Sequence, residues 1–595
     1  MLKTILDRII AIRTWLKTNN YDAIIVPHED EYLSECLPTH NERLRWLTNF
    51  TGSAGVAIIT YDKAVIFVDG RYIIQAIKEV SCKLFKVHYL IQEAEAEANW
   101  LLQNLSKNSK ITFDPRMHNI LWMDSIRNKL ANTYKLIHLI NNPIDELWKE
   151  RPKIILSNIL LMSIKLTGKS SKNKRNKIAQ AIKKLNADSL IITSLDSICW
   201  LLNIRALDIP RLPVLLSQVI LHNNGNVELF LNPRKIPKNF KKHVGDGVTI
   251  YHYKLLEKHL KMLSGKRIII DPEKSNAWFK IILQKVNTKI IKKPDPCLIE
   301  KSIKNKSEIT GIKACHIRDG VAMVKFLSWL DFEISSGNFH DEEILAKKLL
   351  SIREMDPSLK DLSFNTISAT GSNSSICHYN YKNNIRPKKL RNNTLYLIDS
   401  GGQYLDGTTD ITRTISIGNP TKKMINQFTL VLKGHIGIAT ARFPKGTYGY
   451  QIDVLARQHL WREGYDYDHS TGHGVGHFLN VHEGPQKISK TANNVALCKG
   501  MVISNEPGYY CPSFGIRIEN LELIIEIKTK GDFSILAFES LTLCPIDKKN
   551  ININLLSQKE KKWLNKYHKK VWKKISPLVT GKTKKWLKKA TSCIH

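Results

Sequence analysis

The sequence predicts a mixed α/β (α+β) protein made of three consecutive units and a lysine-rich helical extension. Residues 1–154 and residues 155–304 each alternate short apolar strand patterns with helical patterns, which is typical of α/β units. Residues 305–547 begin with one long amphipathic helix and continue in strands and hairpins. Residues 548–595 are rich in lysine and have helical periodicity. A length of 595 residues agrees with about three or four domains.

The first unit contains three segments of strand type and two of helical type. Strands are predicted at DAIIVP (22–27), GVAIIT (55–60) and AVIFVDG (64–70). Helices are predicted at RYIIQAIKEV (71–80) and at PIDELWKERP (143–152), which runs into a proline-marked linker.

The second unit repeats features of the first. The helix KNKRNKIAQAIKKLNA leads into the strand DSLIITS (188–194), and Asp188 opens this strand as Asp22 opens DAIIVP. A Trp-Leu-x-Asn element follows each of the two strands, at residues 46–49 and 200–203. This similarity indicates two copies of one α/β domain.

The third unit opens with SEITGIKACHIRDGVAMVKFLSWLDFEI (307–334), which predicts a single long helix. Ser307 is its predicted N-cap. In the extension, Trp563, Tyr567 and Val571 recur at helical spacing within WLNKYHKKVW, and we interpret them as a packing face.

The formal net charge of +36 is large for a protein of this size. Such a charge would suit a polyanion, but no nucleic-acid-binding motif accompanies it, so we expect a lysine-rich surface and no nucleic acid partner. Residues 551–595 hold thirteen lysines and one glutamate. Block charge of this kind is also typical of an interaction tail, which leaves the role of the extension open.

The ten cysteines are dispersed and form no CxxC pair, which excludes a zinc finger and favours free thiols in a reducing compartment. No apolar run is long enough for a transmembrane helix, so we expect no membrane association. Ile5, Ile9 and Ile12 recur at helical spacing, and Asp7 and Arg8 interrupt the apolar stretch of the N-terminal segment. The segment therefore predicts an amphipathic first helix rather than a signal peptide, and we expect a cytoplasmic protein.

Two aspartates are predicted to meet at the end of a strand pair. LYLIDSGG (395–402) predicts a strand that ends at Asp399. DGTTDITRTISIG (406–418) predicts a turn and a second strand that contains Asp410. The hairpin between them can bring both carboxylates to one point.

Histidines and a glutamate follow in the next segments. MVISNEPGYY (501–510) places Glu506 directly after a strand. The glycine-rich segment HSTGHGVGHFLNVHEGP holds four histidines, which are His469, His473, His477 and His482.

The strand pattern FGIRIENLELII (514–525) alternates strictly, so that Arg517 and Glu519 face one side. With it, the region holds two aspartates, two glutamates and at least one histidine at strand ends or turns. Each alone is more often structural, but their occurrence together favours a metal site. Carboxylate-rich ligation suits Mn(II) or Co(II), and four carboxylates exceed the needs of one ion, so two ions are expected.

The order of these segments resembles the pita-bread metallopeptidases, which include methionine aminopeptidase, prolidase and aminopeptidase P. The resemblance is to the long, three-domain, cytosolic aminopeptidase P and covers almost the whole chain. It rests on DGTTDITRT, TGHGVGHFLNVHEGP, NEPGYY, FGIRIEN, RWLTNFTGSAG (45–55), FVDGRYIIQA (67–76) and WLNKYH. It implies two creatinase-like N-terminal α/β domains (1–154 and 155–304), a pita-bread catalytic domain (305–547) and a helical C-terminal extension (548–595).

The resemblance implies five metal ligands. Asp399 would bind one ion through both oxygens, Asp410 and Glu519 would bridge two ions, and His473 and Glu506 would complete the second ion's ligands. The ions would be two divalent metals, Mn(II) first, with Co(II) or Zn(II) as alternatives. The implied reaction is hydrolysis of the N-terminal Xaa-Pro bond, with release of the first residue, by a hydroxide that bridges the two metals.

The resemblance also implies roles for residues around the metals. Glu506 would be the general base, His378 would contact the substrate, and His482 would lie beside the proline and hold the developing oxyanion. His469 would be a further substrate-binding histidine, and Arg517 would hold carboxylates in register from outside the ligand set. The implied partners are peptides with proline second and another copy of the chain in a homodimer.

Two departures from the family pattern stand out. The loop in EPGYYCPSFGIRIEN is one residue short and carries Cys511 and Pro512, so its path is in doubt. His477 replaces a small residue, which we interpret as a packing change. The alternatives are a prolidase-like Xaa-Pro dipeptidase and a pita-bread protein that has drifted into a binding role. Three-domain length and retention of all five ligands argue against them.

Overall fold

The computed structural model describes residues 3–90, 95–155, 157–383 and 386–595. The chain folds into two compact units. The first comprises Met1–Ser163 and Lys169–Leu298, and the second comprises Ile164–Gly168 and Ile299–His595. Across the described residues, no helix is both long enough and apolar enough to cross a membrane.

The first half of the first unit forms one six-stranded sheet in the order β4-β3-β2-β1-β5-β6. Its strands are β1 (Ala23–Pro27), β2 (Val56–Thr60), β3 (Ala64–Val68), β4 (Lys86–Tyr89), β5 (Lys110–Phe113) and β6 (Lys135–His138). Its helices are α1 (Ile5–Thr18), α2 (Arg43–Thr48), α3 (Ile73–Glu79), α4 (Ala96–Asn104), α5 (Ile120–Leu130) and α6 (Pro143–Leu147). The last helix is shorter than predicted, because the backbone leaves helical geometry at Trp148.

The second half forms a second six-stranded sheet. A short ladder joins β7 (Leu160–Leu161) to β9 (Ile204–Arg205), and α7 (Ile164–Thr167) belongs to the second unit. The sheet contains β8 (Ser189–Ile192), β10 (Gln218–His222), β11 (Val227–Leu231), β12 (Val248–His252), β13 (Arg267–Ile270) and β14 (Lys289–Lys292). The helices are α8 (Ser171–Lys184), α9 (Leu195–Leu202), α10 (Phe240–Val244), α11 (Leu256–Lys261) and α12 (Ala277–Lys285), and α13 (Pro296–Ser302) begins in the first unit and continues into the second from Ile299.

The two sheets share one topology, which confirms the predicted internal repeat. The second sheet has the order β12-β11-β10-β8-β13-β14, and each of its pairs has the direction of its counterpart in the first. Asp22 and Asp188 are equivalent, since each carboxylate accepts a hydrogen bond from the neighbouring strand, from Lys110 N–H at 2.7 Å and Arg267 N–H at 2.8 Å. Asn49 and Asn203 end α2 and α9 in the left-handed conformation that asparagine tolerates.

In the described residues of the second unit, six longer helices accompany one six-stranded sheet and several smaller ladders. The helices are α14 (Lys306–Ser335), α15 (Glu342–Arg353), α16 (Lys422–Ala439), α17 (Gly449–Trp461), α18 (Gln558–Ile575) and α19 (Gly581–Ala590). The predicted N-cap of α14 is wrong, because Asn305 caps the helix and not Ser307. Glu308 then lies at the third position and accepts a hydrogen bond from Asn305 N–H at 2.9 Å, which completes a reciprocal capping box.

The strands of the second unit form one six-stranded sheet, in the order β21-β28-β27-β24-β22-β23, and smaller ladders. They are β15 (Leu359–Leu362), β16 (Ile367–Thr370), β17 (Thr394–Ser400), β18 (Gly402–Tyr404), β19 (Gly407–Thr408), β20 (Ile411–Ile417), β21 (Arg442–Pro444), β22 (Gly472–Gly474), β23 (Glu483–Ile488), β24 (Val502–Asn505), β25 (Gly508–Cys511), β26 (Phe514–Arg517), β27 (Asn520–Ile527) and β28 (Ile535–Ser540).

Two strand predictions need correction. Asp410 is not inside a strand but directly precedes β20. The predicted continuous strand over 514–525 is broken at residues 518–519, because β26 pairs with β25 whereas β27 pairs with β24 and β28. The break places Glu519 directly before β27, outside the alternation of either strand.

The extension folds as α18 and α19 and packs against the core of the second unit. Tyr567 and Val571 are buried, and Trp563 stacks on Tyr567 with ring centroids 5.4 Å apart. The predicted packing face is confirmed. Leu564 and Ile575 of the same helix join it in the apolar core that contains α16.

Candidate metal centre and active site

The two predicted aspartate ligands lie at one end of the β17–β20 pair. In this antiparallel ladder Asp399 is opposite Thr412, and Asp410 stands just before the strand that Thr412 occupies. Both carboxylates are buried. The ladder therefore holds the aspartates at neighbouring positions, as their sequence spacing predicts.

The two predicted glutamate ligands lie at the end of the β24–β27 pair. Asn505 pairs with Asn520 in the last rung of this ladder, so Glu506 follows one strand and Glu519 precedes the other. The N–H of Glu519 donates to the carbonyl of Thr412 at 3.2 Å, which joins this pair to the aspartate-bearing pair.

Four of the five predicted ligands form a compact cluster around His473, which lies on β22. Asp410, His473 and Glu519 each offer one ligand atom, and these atoms all lie within 4.8 Å of one another. His473 Nε2 is 3.2 Å from Glu506 Oε1 and 3.6 Å from Asp410 Oδ2. Such a set of three carboxylates and one imidazole can bind a divalent cation.

Asp399, the fifth predicted ligand, is held by Arg517. Asp399 Oδ2 accepts a hydrogen bond from an Arg517 NH2 group at 2.5 Å. Among the described residues, the other oxygen of Asp399 and Oδ1 of Asp410 are buried without a hydrogen-bond partner. Since a buried carboxylate oxygen without a partner is unfavourable, these open acceptors fit cations that would complete the site.

Burial and mutual repulsion dominate the electrostatics of the metal-free site. Burial, with the charges of Glu506 and Asp399, raises the pKa of Glu519 to about 8. Burial, with the charges of Glu519 and Asp399, also raises the pKa of Asp410 well above its usual range. The site therefore holds protons in the absence of metal, because its carboxylates cannot all ionise so close together.

His473 and Glu506 form the charged pair of the site. Burial alone would lower the pKa of His473, but its hydrogen bond to Glu506 and the nearby negative charges raise it to about 9. Burial alone would raise the pKa of Glu506, but the hydrogen bond from His473 lowers it to about 2. Glu506 is thus the ionised carboxylate of the cluster.

Hydroxyl groups on the neighbouring strands orient the predicted ligands. Thr412 Oγ1 donates to Glu519 Oε2 at 2.8 Å, and Ser504 Oγ donates to Glu506 Oε1 at 3.2 Å. Ser504 Oγ also accepts a hydrogen bond from His473 N–H at 2.9 Å. Neither hydroxyl can be identified from the sequence, because only the β-strand register shows that they face the carboxylates.

A hydrogen-bonded chain connects Asp399 with His469 through Arg517 and Tyr510. Arg517 NH1 donates to the Tyr510 hydroxyl at 2.7 Å, which lies 2.8 Å from His469 Nε2. His469 Nδ1 is 2.9 Å from the Ser470 carbonyl, so this nitrogen carries the proton and Nε2 accepts from Tyr510. Burial lowers the pKa of His469 to about 4, which keeps the ring neutral. Tyr510 stands in NEPGYY, but nothing in that string indicates its contacts.

The remaining predicted histidines differ in their burial. The His482 ring is exposed, and its centroid is 4.4 Å from that of His473. His378 is half-buried and follows Cys377, whose carbonyl is 3.4 Å from Arg517 NH2. His477 is buried, which agrees with its interpretation as a packing residue.

The shortened loop between Glu506 and Glu519 is a tight hairpin. Strands β25 and β26 pair from Gly508↔Arg517 to Cys511↔Phe514, so that only Pro512 and Ser513 form the turn. The missing residue shortens the tip of the hairpin. Its base, which holds both glutamates, is intact.

Comparison with protein families agrees with this geometry. Residues 310–526 match the family model of metallopeptidase family M24, and residues 534–594 match that of the C-terminal region of peptidase M24. Residues 8–147 and 150–308 each match a creatinase/prolidase N-terminal domain.

Similar proteins span the whole chain. A probable Xaa-Pro aminopeptidase P of Laccaria bicolor is 39% identical, over 98% of this chain and 93% of the relative. Xaa-Pro aminopeptidase 1 of Dictyostelium discoideum is 38% identical, over 97% of this chain and 95% of the relative. The crystal structure of the X-prolyl aminopeptidase from Caenorhabditis elegans, described as a cytosolic enzyme with a di-nuclear active site, superposes with a TM-score of 0.95 at 32% identity and full coverage of both chains. This chain therefore belongs to metallopeptidase family M24, among the Xaa-Pro aminopeptidases P.

Proposed function

We propose that this chain is a metalloaminopeptidase that hydrolyses the N-terminal Xaa-Pro bond of peptides and releases the first residue. The observation that carries the proposal is the buried cluster of Asp410, His473, Glu506 and Glu519, with Asp399 beside it. Relatives that share the full length of the chain and bear the name Xaa-Pro aminopeptidase support the same activity.

Two divalent metal ions would be held by Asp399, Asp410, His473, Glu506 and Glu519. The carboxylate-rich donor set favours Mn(II), with Co(II) or Zn(II) as alternatives. When bound, two such ions would polarise the scissile carbonyl and lower the pKa of a water molecule between them.

The chain's own side chains would supply the proton transfers and the positioning. Glu506 is ionised and can accept a proton from the attacking water as the general base. His482 is exposed beside His473 and would donate a hydrogen bond to the oxyanion that develops on the scissile carbonyl. His378 and His469 would contact the substrate, and Arg517 would keep Asp399 in the orientation that metal binding requires.

The substrate would be a peptide with proline at its second position. An Xaa-Pro bond is a tertiary amide with a rigid ring, so it needs a site shaped for that ring. The neighbouring activity, prolidase-like cleavage of Xaa-Pro dipeptides, uses a similar metal centre. Peptides of three or more residues distinguish the two activities, because a prolidase refuses them.

We also propose a cytoplasmic homodimer that does not associate with membranes or nucleic acid. The similarity to a cytosolic enzyme of Caenorhabditis elegans supports the location. Size-exclusion chromatography with light scattering tests the dimer, and a single-chain mass would contradict it. A gel-shift assay at low salt tests for nucleic acid, and salt-sensitive binding would contradict that part.

The deciding experiment is hydrolysis of Arg-Pro-Pro and Arg-Pro by the purified chain with added Mn(II). The wild type and the surface control Asp532→Ala should release arginine from the tripeptide, whereas Asp410→Ala should release none. Cleavage of Arg-Pro alone would identify a prolidase. A folded wild type without activity under any divalent metal would contradict the enzymatic proposal and favour a drifted binding protein.

A further inference from the structure

His482 is followed by a buried acidic residue that the proposed reaction does not use. Glu483 begins β23 and is 2% exposed, whereas His482, which directly precedes the strand, is exposed. Across the ladder Glu483 is opposite Gly474, the residue after His473. The carboxylate therefore lies on the inner face of the segment that presents both histidines.

Two buried lysines lie against this carboxylate. Lys301 is in the last turn of α13 and Lys304 follows that helix, and these residues are 2% and 3% exposed. Lys304 Nζ forms an ion pair with Glu483 Oε1, and Lys301 Nζ is 3.5 Å from Oε2. We name Lys301, Lys304 and Glu483 the lysine clamp.

The lysine clamp also contacts the backbone of the segment that carries Glu483. Lys301 Nζ donates to the carbonyl of Gly484 at 3.2 Å, and Lys304 Nζ donates to the carbonyl of Lys301 at 3.0 Å, which joins the two lysines. The clamp thus holds the backbone at Gly484, two residues after His482, as well as the Glu483 side chain.

Close backbone contact between β22 and β23 limits movement of Glu483. A Cβ atom on Gly474 would lie 2.3 Å from the carbonyl oxygen of Glu483, so the two backbones are in close contact. A shift of Glu483 would move this contact, and with it the relative position of His473 and His482.

Burial of two ammonium groups and one carboxylate is a poor way to gain stability, because apolar side chains of similar size usually serve as well or better. What such a cluster does provide is one defined geometry, since each charge must meet its partner. The lysine clamp therefore differs from an apolar part of the core.

We propose that the lysine clamp positions His482 against His473, so that His482 reaches the oxyanion of the scissile bond. The three residues are positioning residues, because they lie behind the histidine and do not contact the substrate. This inference rests on the proposed function. It means that Lys301, Lys304 and Glu483 influence the rate of the chemical step through the position of His482.

The test is a double-mutant cycle with Lys304→Met and His482→Ala, measured on Arg-Pro-Pro with saturating Mn(II). In the chain that retains His482, Lys304→Met should lower kcat about 10- to 100-fold with little change in KM, as loss of an outer positioning contact does. In the His482→Ala background the same substitution should change kcat by less than about twofold. An equal loss in both backgrounds would overturn the proposal.

Lys304→Arg and Lys235→Met provide the controls. Lys304→Arg keeps the charge and should restore most of kcat. Lys235, which pairs with Asp208 in the first unit, is a buried lysine of the same kind, and its loss should lower stability but leave kcat unchanged. If the wild type and Lys235→Met are both inactive, the proposed function fails rather than the lysine clamp.

Metal binding provides a second test if His482→Ala is too slow to assay. The Co(II) content and visible absorption of Lys304→Met should equal those of the wild type, because the clamp acts on His482 and not on the ligands. Loss of bound Co(II) or an altered spectrum would show that the substitution damages the metal centre, and would overturn the assignment to His482.

Discussion

Binding of a divalent metal ion at the candidate site should displace protons from two of the predicted ligands. The pKa of Glu519 is raised to about 8 by burial and neighbouring charges, and that of His473 to about 9 by its pair with Glu506, against the effect of burial. At neutral pH both residues carry a proton on a group that a metal ion requires. A chelator-treated sample should therefore release protons when Mn(II) is added.

The magnitude follows from these pKa values. Near pH 7 a group with a pKa of about 8 is about nine-tenths protonated, and one with a pKa of about 9 is almost fully protonated. Glu519 and His473 should together release about two protons per chain, and Asp410, whose pKa is also raised well above its usual range, adds to this number any proton that it holds. Because protons and metal ions compete for the same atoms, raising the pH strengthens binding. Two displaced protons correspond to an apparent affinity about 100-fold tighter for each pH unit.

Isothermal titration calorimetry in two buffers of different ionisation enthalpy measures this release. Release from the two residues should fall below about one proton near pH 9, where both have begun to ionise before the metal is added. The matched variant Thr412→Val keeps every ligand but removes the hydroxyl that donates to Glu519, so the pKa of Glu519 rises and release near pH 9 increases. Release near zero at both pH values would refute the reasoning from buried like charges.

Three further substitutions test the supports of the site and the fold. A lysine at position 517 cannot bind both Asp399 and the Tyr510 hydroxyl, so Arg517→Lys should lower kcat about 10- to 100-fold at similar metal content. An unchanged kcat would contradict the orienting role of Arg517. Tyr567→Phe removes a buried hydroxyl 3.0 Å from Arg413, and calorimetry should show a loss of about 1–3 kcal/mol in the free energy of unfolding. Arg43→Met removes a buried guanidinium that pairs with the partly exposed carboxylates of Glu31 and Asp145, and chemical denaturation should show a loss of about 1–3 kcal/mol; full stability would contradict the importance of these ion pairs.

The sequence predicts the elements that carry the site because each is defined by local pattern. Asp399 and Glu506 follow short apolar strands, and strand length and alternation can be read within a few residues. The internal repeat can also be detected in the sequence, since Asp22 and Asp188 directly precede equivalent strands. Local chemistry of this kind specifies where a strand ends and which side chain stands there.

The sequence cannot predict which distant residues support the ligands. Thr412 and Glu519 are 107 residues apart, and Arg413 and Tyr567 are 154 residues apart, yet both pairs form hydrogen bonds. Periodicity reports on neighbours along the chain and not on register between distant strands. The break before β27 cannot be predicted for the same reason. It arises because β26 pairs with β25, which is not a partner of β27.

The C-terminal extension shows how composition alone can mislead. Its lysines suggest a separate interaction tail, but its inner face belongs to the core of the catalytic unit. Arg413, three residues after Asp410, donates to the carbonyls of Glu519 and Cys544 and to the hydroxyl of Tyr567 on α18. Because one buried guanidinium binds both a ligand-bearing segment and the extension, α18 stabilises the strand ends at which the metals would bind. The lysines then lie on the solvent face of a helix whose opposite face supports the site.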